Sequence, residues 1–149
     1  MLEKVTLPRF HGCFVCGPDN PLGLNLGFVG TDAGVEATWT PADHHIGYAQ
    51  TVHGGLISAV LDEAVIWAAY HATGRFGVTA ELVVRFRRPL MAGRPFGIMA
   101  RMVQTRGRLW TAEGEIQDEA GAVLASATAK IHPLTEEKST ELRAHWAPN

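Results

Sequence analysis

Val52-His53-Gly54-Gly55-Leu56-Ile57-Ser58-Ala59-Val60-Leu61-Asp62-Glu63-Ala64-Val65-Ile66-Trp67-Ala68-Ala69-Tyr70-His71 is the stretch that decides the fold. From Leu56 to Tyr70 it holds no Pro and no Gly, and apolar residues fall on nearly every face. A helix of that pattern is buried all round. At about 18 residues it has the length of a membrane span. The adjacent carboxylates Asp62 and Glu63, near its middle, argue against a membrane. A carboxylate inside a buried helix is costly unless it is paired, hydrated or used. Successive helix positions point about 100° apart, so only one of the two can face a given site.

The flanking sequence alternates with period two, as strands do. Leu24 to Gly30 and Val35 to Thr40 read as a hairpin about the turn Thr31-Asp32-Ala33-Gly34. Pro41 ends the second strand. A loop with His44, His45, Gly47, Tyr48 and Gln50 then leads to the helix, with no strong cap residue before it. Gly74 offers a C-terminal cap. Val78 to Arg88 alternates, with Ala80, Leu82, Val84 and Phe86 on one face and Thr79, Glu81, Val83, Arg85 and Arg87 on the other. Phe96 to Thr105, Leu109 to Gln117 and Ala122 to His132 follow as strands, separated by turns. The pattern predicts an α+β domain, an antiparallel β-sheet wrapped around one long central helix.

The chain has 149 residues, 46% of them hydrophobic and 19% charged, which fits one globular domain. We divide it into an N-terminal loop segment (1–23), the main domain (24–133) and a polar C-terminal tail (134–149) that forms a short helix or a loose end. A net charge of -2 gives no electrostatic basis for nucleic-acid binding. Met1-Leu2-Glu3-Lys4 begins no apolar stretch of signal-peptide length, and no second segment reaches membrane length. No repeat occurs at solenoid periods. A cytoplasmic, reducing location is expected.

Cys13 and Cys16 form a C-x-x-C within Cys13-Phe14-Val15-Cys16-Gly17-Pro18-Asp19-Asn20-Pro21-Leu22-Gly23, a run dense in turn formers. A structural zinc takes four ligands. His11 is a third candidate, and no fourth stands nearby in sequence. A thioredoxin-type motif opens a helix after a strand, and this one does not. The pair reads as two small buried side chains in a tight loop.

Val52-His53-Gly54-Gly55, the carboxylate Asp62 nine residues after the His, and the strand ending in Arg88-Pro89 together resemble the hot-dog fold. Within it, the chain is most similar to thioesterases of the 4-hydroxybenzoyl-CoA and phenylacetate-pathway type. The resemblance spans roughly residues 22–133, and the segment from Cys13 to Leu24 looks like a stretch found in a subgroup of such proteins. It implies hydrolysis of an acyl-CoA thioester to free acid and CoA, with no metal and no cofactor. By position, Gly54 would supply the amide that polarises the thioester carbonyl, Asp62 the nucleophile or general base, and Thr79 a hydroxyl that helps hold the water. Many relatives carry Asn or Gln six residues before the motif His. This chain has Gly47 there, and Gln50 is the nearest amide. The resemblance also implies sites shared between subunits of a homodimer, or of a dimer of dimers, with no membrane and no nucleic acid as partner.

The residues support the same chemistry directly. A helix N-terminus offers unpaired amides and partial positive charge, and Gly54 and Gly55 let a carbonyl come close. Asp62 can attack that carbonyl or activate water. Gly54 and Asp62 are about 12 Å apart along one helix, too far for both to serve one carbonyl. If both act, they come from two helices, hence two subunits. Candidate catalytic residues are thus Asp62, Gly54, Gly55, His53 and Thr79, although His53 also reads as the maker of a local hydrogen bond. Candidate substrate contacts are Tyr48, Gln50 and Glu63, with Arg87, Arg88 and Arg94 for the CoA phosphates. Glu63 reads first as a structural neighbour of Asp62. Trp67 and His71 are further candidates for an acyl pocket. Two alternatives compete. One is a hot-dog hydratase or dehydratase using His44 or His45, whose carboxylate would be expected where this chain has Val60. The other is a non-catalytic acyl-ligand-binding module.

Overall fold

The computed structural model describes residues 3–147. The long helix forms as the sequence predicts: α1 runs Gly54–Thr73. It starts at a cap where the sequence predicts no strong cap residue, and the local hydrogen bond expected of His53 is what forms it. His53 stays extended, and its Nδ1 accepts the Gly55 amide at 2.9 Å. This satisfies one of the open donors of the first turn. Gly74 ends the helix in the left-handed region (φ 74°), donating its N–H to Tyr70 O at 2.7 Å.

Seven strands make one antiparallel sheet: β1 (Val5–Thr6), β2 (Val29–Thr31), β3 (Gly34–Trp39), β4 (Gly77–Phe86), β5 (Phe96–Gln104), β6 (Trp110–Gln117) and β7 (Val123–Pro133). Their spatial order is β1-β2-β3-β5-β6-β7-β4. The strand after the helix therefore sits at the far edge, paired to β7 alone among the described residues. This is the hot-dog arrangement. The inner face of β6 and β7 is built of small residues (Ala112, Gly114, Ala125, Ala127, Ala129), all buried. Small residues there let α1 lie close, with Ile57, Val60, Leu61, Ala64, Val65 and Trp67 filling the space between. Each large aliphatic so buried contributes about 1.5–3 kcal/mol.

Four expectations needed correction. The helix is not buried all round: Gly54, Ser58, Asp62 and Ile66, at four-residue spacing, form a half-buried stripe. The strand expected from Leu24 is in the ladder only from Val29, because Asn25 takes a left-handed conformation (φ 52°) and breaks the extended run. The amides of Leu24 and Leu26 instead donate to the carbonyls of Phe14 and Val15, tying this stretch to the N-terminal loop. The segment 1–23 is not wholly irregular, since β1 pairs with β2. The alternation expected for β4 breaks at a bulge between Thr79 and Glu81, so Thr79 shares the half-buried side with Leu82 and Val84.

The C-terminal segment forms a short helix, α2 (Glu136–Arg143), capped by Thr135. Its buried Ser139 accepts the Phe76 amide at 3.0 Å, and Trp146 packs edge-on to Tyr70 and Phe76.

At the β2–β3 turn, Gly34 has φ 136°, and a Cβ there would run into the Ala100 carbonyl of β5. Backbone cannot swing aside as a flexible side chain does. Gly34→Ala is expected to destabilise the fold by about 1–3 kcal/mol or more. A denaturation midpoint unchanged from wild type would contradict this.

Candidate active site

Asp62 sits in the half-buried stripe of α1, and Thr79 Oγ1 donates to its Oδ1 at 2.6 Å. The bulge in β4 turns the threonine toward the helix. Among the described residues, no ion pair involves Asp62. It is a carboxylate held by a hydroxyl at the border of an apolar core, with its charge uncompensated by a cation.

At the helix N-terminus the two motif glycines have different roles. The Gly55 amide is taken by His53 Nδ1, and those of Leu56 and Ile57 donate to His53 O. Among the described residues the Gly54 N–H has no acceptor, which makes it the open donor. Because Nδ1 accepts, the neutral His53 ring carries its proton on Nε2. Phe86, at the end of β4, stands beside Gly54, about 3.4 Å from where a Cβ would be. Thr79 touches Asp62 and Phe86 flanks Gly54. Strand β4 therefore runs antiparallel to α1, and both candidate groups lie along the open edge of the sheet.

The loop before the helix is exposed at its tip. Tyr48 is 90% exposed and Gln50 is also exposed. Between them Ala49 holds φ 49°, an uncommon conformation for alanine. His45 faces inward, its Nδ1 accepting the Ala42 amide at 2.9 Å. Burial, with His44 beside it, holds the His45 ring below the usual histidine range.

The three candidate arginines do not converge. Arg88 and Arg94 line one cleft of about 690 Å³ beside Pro89, Phe96 and Asp118. Arg87 lies on the outer sheet face with Arg85, Arg101 and Glu113, along a depression of about 670 Å³. Neither depression is lined by Asp62. His71 closes onto β2, bonding Thr31 O at 2.9 Å. Trp67 is buried among Phe10, Tyr70 and Phe76.

Glu63 turns away from Asp62. Its Oε1 accepts from Trp67 Nε1 at 2.9 Å and meets Cys13 Sγ at 3.5 Å. Burial above all raises its carboxyl to about 7. The Cys16 thiol, hydrogen-bonded to Cys13, is the main cause that lowers Cys13 to about 5, and the same bond pushes Cys16 up. Cys13 and Glu63 thus share one hydrogen bond inside a part-buried cluster of two thiols and a carboxyl. Sequence reasoning missed this cluster because the two cysteines lie far from Glu63 along the chain. The one local signal was a second carboxylate on a buried helix.

The sheet, the central helix and the glycine-opened N-terminus define a hot-dog domain with a helix carboxylate. Residues 49–125 match the 4HBT family, the thioesterase superfamily, and the chain belongs to it. An uncharacterised protein of Schizosaccharomyces pombe is 29% identical over 77 residues, 51% of this chain and 44% of that protein. The chain thus spans less than half the length of that curated relative. The crystal structure of RHA08564, a thioesterase superfamily protein, superposes with a TM-score of 0.76 at 28% identity, covering 82% of this chain and 60% of that one. The E. coli PaaI protein of the phenylacetic acid degradation operon gives 0.66 at 23% identity (73% of this chain, 83% of that one). The Streptococcus mutans protein smu.793, solved bound to acetyl CoA, gives 0.68 at 21% identity (74% and 89%). No helix among the described residues is long and apolar enough to cross a membrane.

Proposed function

We propose that this chain is an acyl-CoA thioesterase, hydrolysing the thioester to free acid and CoA. The observation that carries this reading is Asp62, a carboxylate held by Thr79 and, among the described residues, in no ion pair, set on the same open edge as the Gly54 amide, which has no acceptor among them. A two-fold dimer joined across that edge would lay two α1 helices antiparallel, near one another around Ser58. Gly54 of each would then approach the partner's Asp62, as a two-fold interface requires. The Gly54 N–H polarises the thioester carbonyl in such a site. Asp62 either takes a proton from a water that attacks the carbonyl carbon, or attacks that carbon itself to form a mixed anhydride that water then hydrolyses to the free acid; in both routes the C–S bond breaks and the CoA thiolate leaves. Exposed Val78, Val83 and Phe86 give β4 the apolar character of a strand that pairs with another chain.

CoA is the proposed carrier in keeping with the acetyl CoA bound to the Streptococcus mutans structure. Arg88 and Arg94 are the pair that one ligand's phosphates can meet together. Arg87 lies away from that cleft. The Gly55 amide, held by His53, shapes the first turn, and His53 acts through it as a positioning residue. The hydratase alternative lacks its carboxylate, because the residue there is Val60, fully buried in the core.

The test is a panel of short, long and aromatic acyl-CoAs, with free thiol as readout. Release well above buffer for at least one substrate is expected. No release from any of them sinks the proposal, and so does a protein that stays monomeric while active.

Thr79→Val keeps the shape of the threonine and removes its donor. A hydrogen bond to a charged group is worth about 1.5–3 kcal/mol, so kcat should fall about 10-fold to 100-fold. KM should change little, while the melting temperature should fall by a few degrees, because the same bond is present in the free protein. An unchanged kcat would show that the Thr79 hydroxyl does not orient a working carboxylate.

A further inference from the structure

We propose that Cys13, Cys16 and Glu63 bind one thiophilic divalent cation, zinc by preference, which clips the N-terminal loop onto α1. The inference does not depend on the hydrolytic activity.

The donor set comes first. Two thiol sulfurs and a carboxylate oxygen all lie within 4.8 Å of one another. In a tetrahedral zinc site, with Zn–S about 2.3 Å and Zn–O about 2.0 Å, a sulfur and an oxygen ligand stand about 3.5 Å apart. Cys13 Sγ and Glu63 Oε1 are 3.5 Å apart. The group needs only a small contraction to close on a metal. Three protein ligands leave the fourth position to water, and thiolate ligands select zinc over the hard cations.

The loop is also built to present its sulfurs. The Cys16 amide donates to Cys13 Sγ at 3.3 Å, a bond that favours the thiolate form a metal requires. The Gly17 amide closes the turn onto Cys13 O at 2.9 Å. A Cβ on Gly17 would run into the backbone of Cys13 and the His11 carbonyl, so only glycine permits this closure. On the other side, Trp67 Nε1 fixes the carboxylate, the kind of outer hydrogen bond that orients metal ligands.

Charge is the third argument. Two thiols and a carboxylate face one another, and among the described residues no ion pair involves Glu63. A divalent ion balances the charge of the ionised set. His11 is engaged by Asp19 on the exposed side of the loop, so the third ligand is Glu63.

The experiment uses the full chain, reduced and then exposed to Zn²⁺ or Co²⁺ before desalting. Zinc content of about one per chain is expected, and zinc should raise the melting temperature, since a ligand that binds only the folded state stabilises it. Co²⁺ should give thiolate-to-metal charge-transfer absorption and the strong visible bands of a tetrahedral site. The double variant Cys13→Ser with Cys16→Ser should retain less than about a tenth of the metal, its thiolate ligands being gone. Glu63→Gln keeps the Trp67 bond and the packing. It should weaken zinc at least about tenfold in competition with a chelating dye. Four results would each overturn the proposal: zinc below about a tenth per chain in the wild type, a cobalt spectrum without the sulfur band, a double variant that binds as well as wild type, or unweakened zinc in Glu63→Gln.

Discussion

Asp62→Asn is expected to lower kcat for acyl-CoA hydrolysis about 10²–10⁴-fold, the range for loss of a positioned acid–base group, while the melting temperature holds or rises. Asparagine keeps the size of the side chain and can still accept the Thr79 hydroxyl at its Oδ1. It cannot attack a carbonyl as a carboxylate does or take a proton from water. Asp62→Ala should lose a similar factor in kcat. A carboxylate serving only structure gives the opposite pattern. Its alanine variant would lose stability, its asparagine variant would recover it, and hydrolysis would be unaffected by either. The expectation of unchanged stability has a physical ground. Among the described residues Asp62 has one hydrogen-bonding side chain and no ion pair. Replacing its carboxylate by an amide keeps the acceptor for Thr79 and breaks no ion pair among the described residues. Full activity in either variant would remove Asp62 from the mechanism.

Local sequence revealed the parts of the fold that depend on local pattern. The apolar run from Leu56 to Tyr70 marks a helix buried on most of its faces, and Asp118 to Gly121 marks a turn, which the Asp118 carboxylate closes through the Ala120 and Ala122 amides. The features that were not legible depend on pairing across the chain. The bulge at Thr79 and Glu81 is set by the register of β4 on β7, and alternation within β4 carries no trace of it. Without that bulge Thr79 would face away from Asp62. Resemblance points to Thr79, whereas strict alternation puts it on the face of Glu81 and Val83. A local hydrogen bond from His53 was legible, but not that it caps the helix, because histidine is not among the usual cap residues. Glu63 reads as an unexplained charge until the loop of Cys13 and Cys16 folds over it. Only tertiary packing supplies that neighbour.

Trp67→Ala is expected to be the most destabilising change considered, leaving a protein that unfolds at far lower denaturant or does not accumulate. Trp67 is 1% exposed, and its ring packs against Phe10, Tyr70 and Phe76 at centroid distances of 5.6–5.8 Å. Truncating a buried tryptophan to alanine costs about 3–5 kcal/mol. The same change takes the indole donor from Glu63, and a buried acceptor left without its partner costs about 1–3 kcal/mol more. A domain's whole stability is about 5–15 kcal/mol, so the two losses together approach the lower end of it. Trp67→Phe separates them, since it keeps most of the ring and removes only the N–H. It should cost about 1–3 kcal/mol, chiefly through Glu63. If the metal clip is present, zinc on Glu63 should offset part of that loss by satisfying the same carboxylate, so Trp67→Phe should be less destabilised in zinc than in chelator. Urea unfolding followed by far-ultraviolet circular dichroism reads both variants. A Trp67→Ala midpoint close to that of the wild type would mean that the aromatic cluster does not anchor α1 to the N-terminal segment.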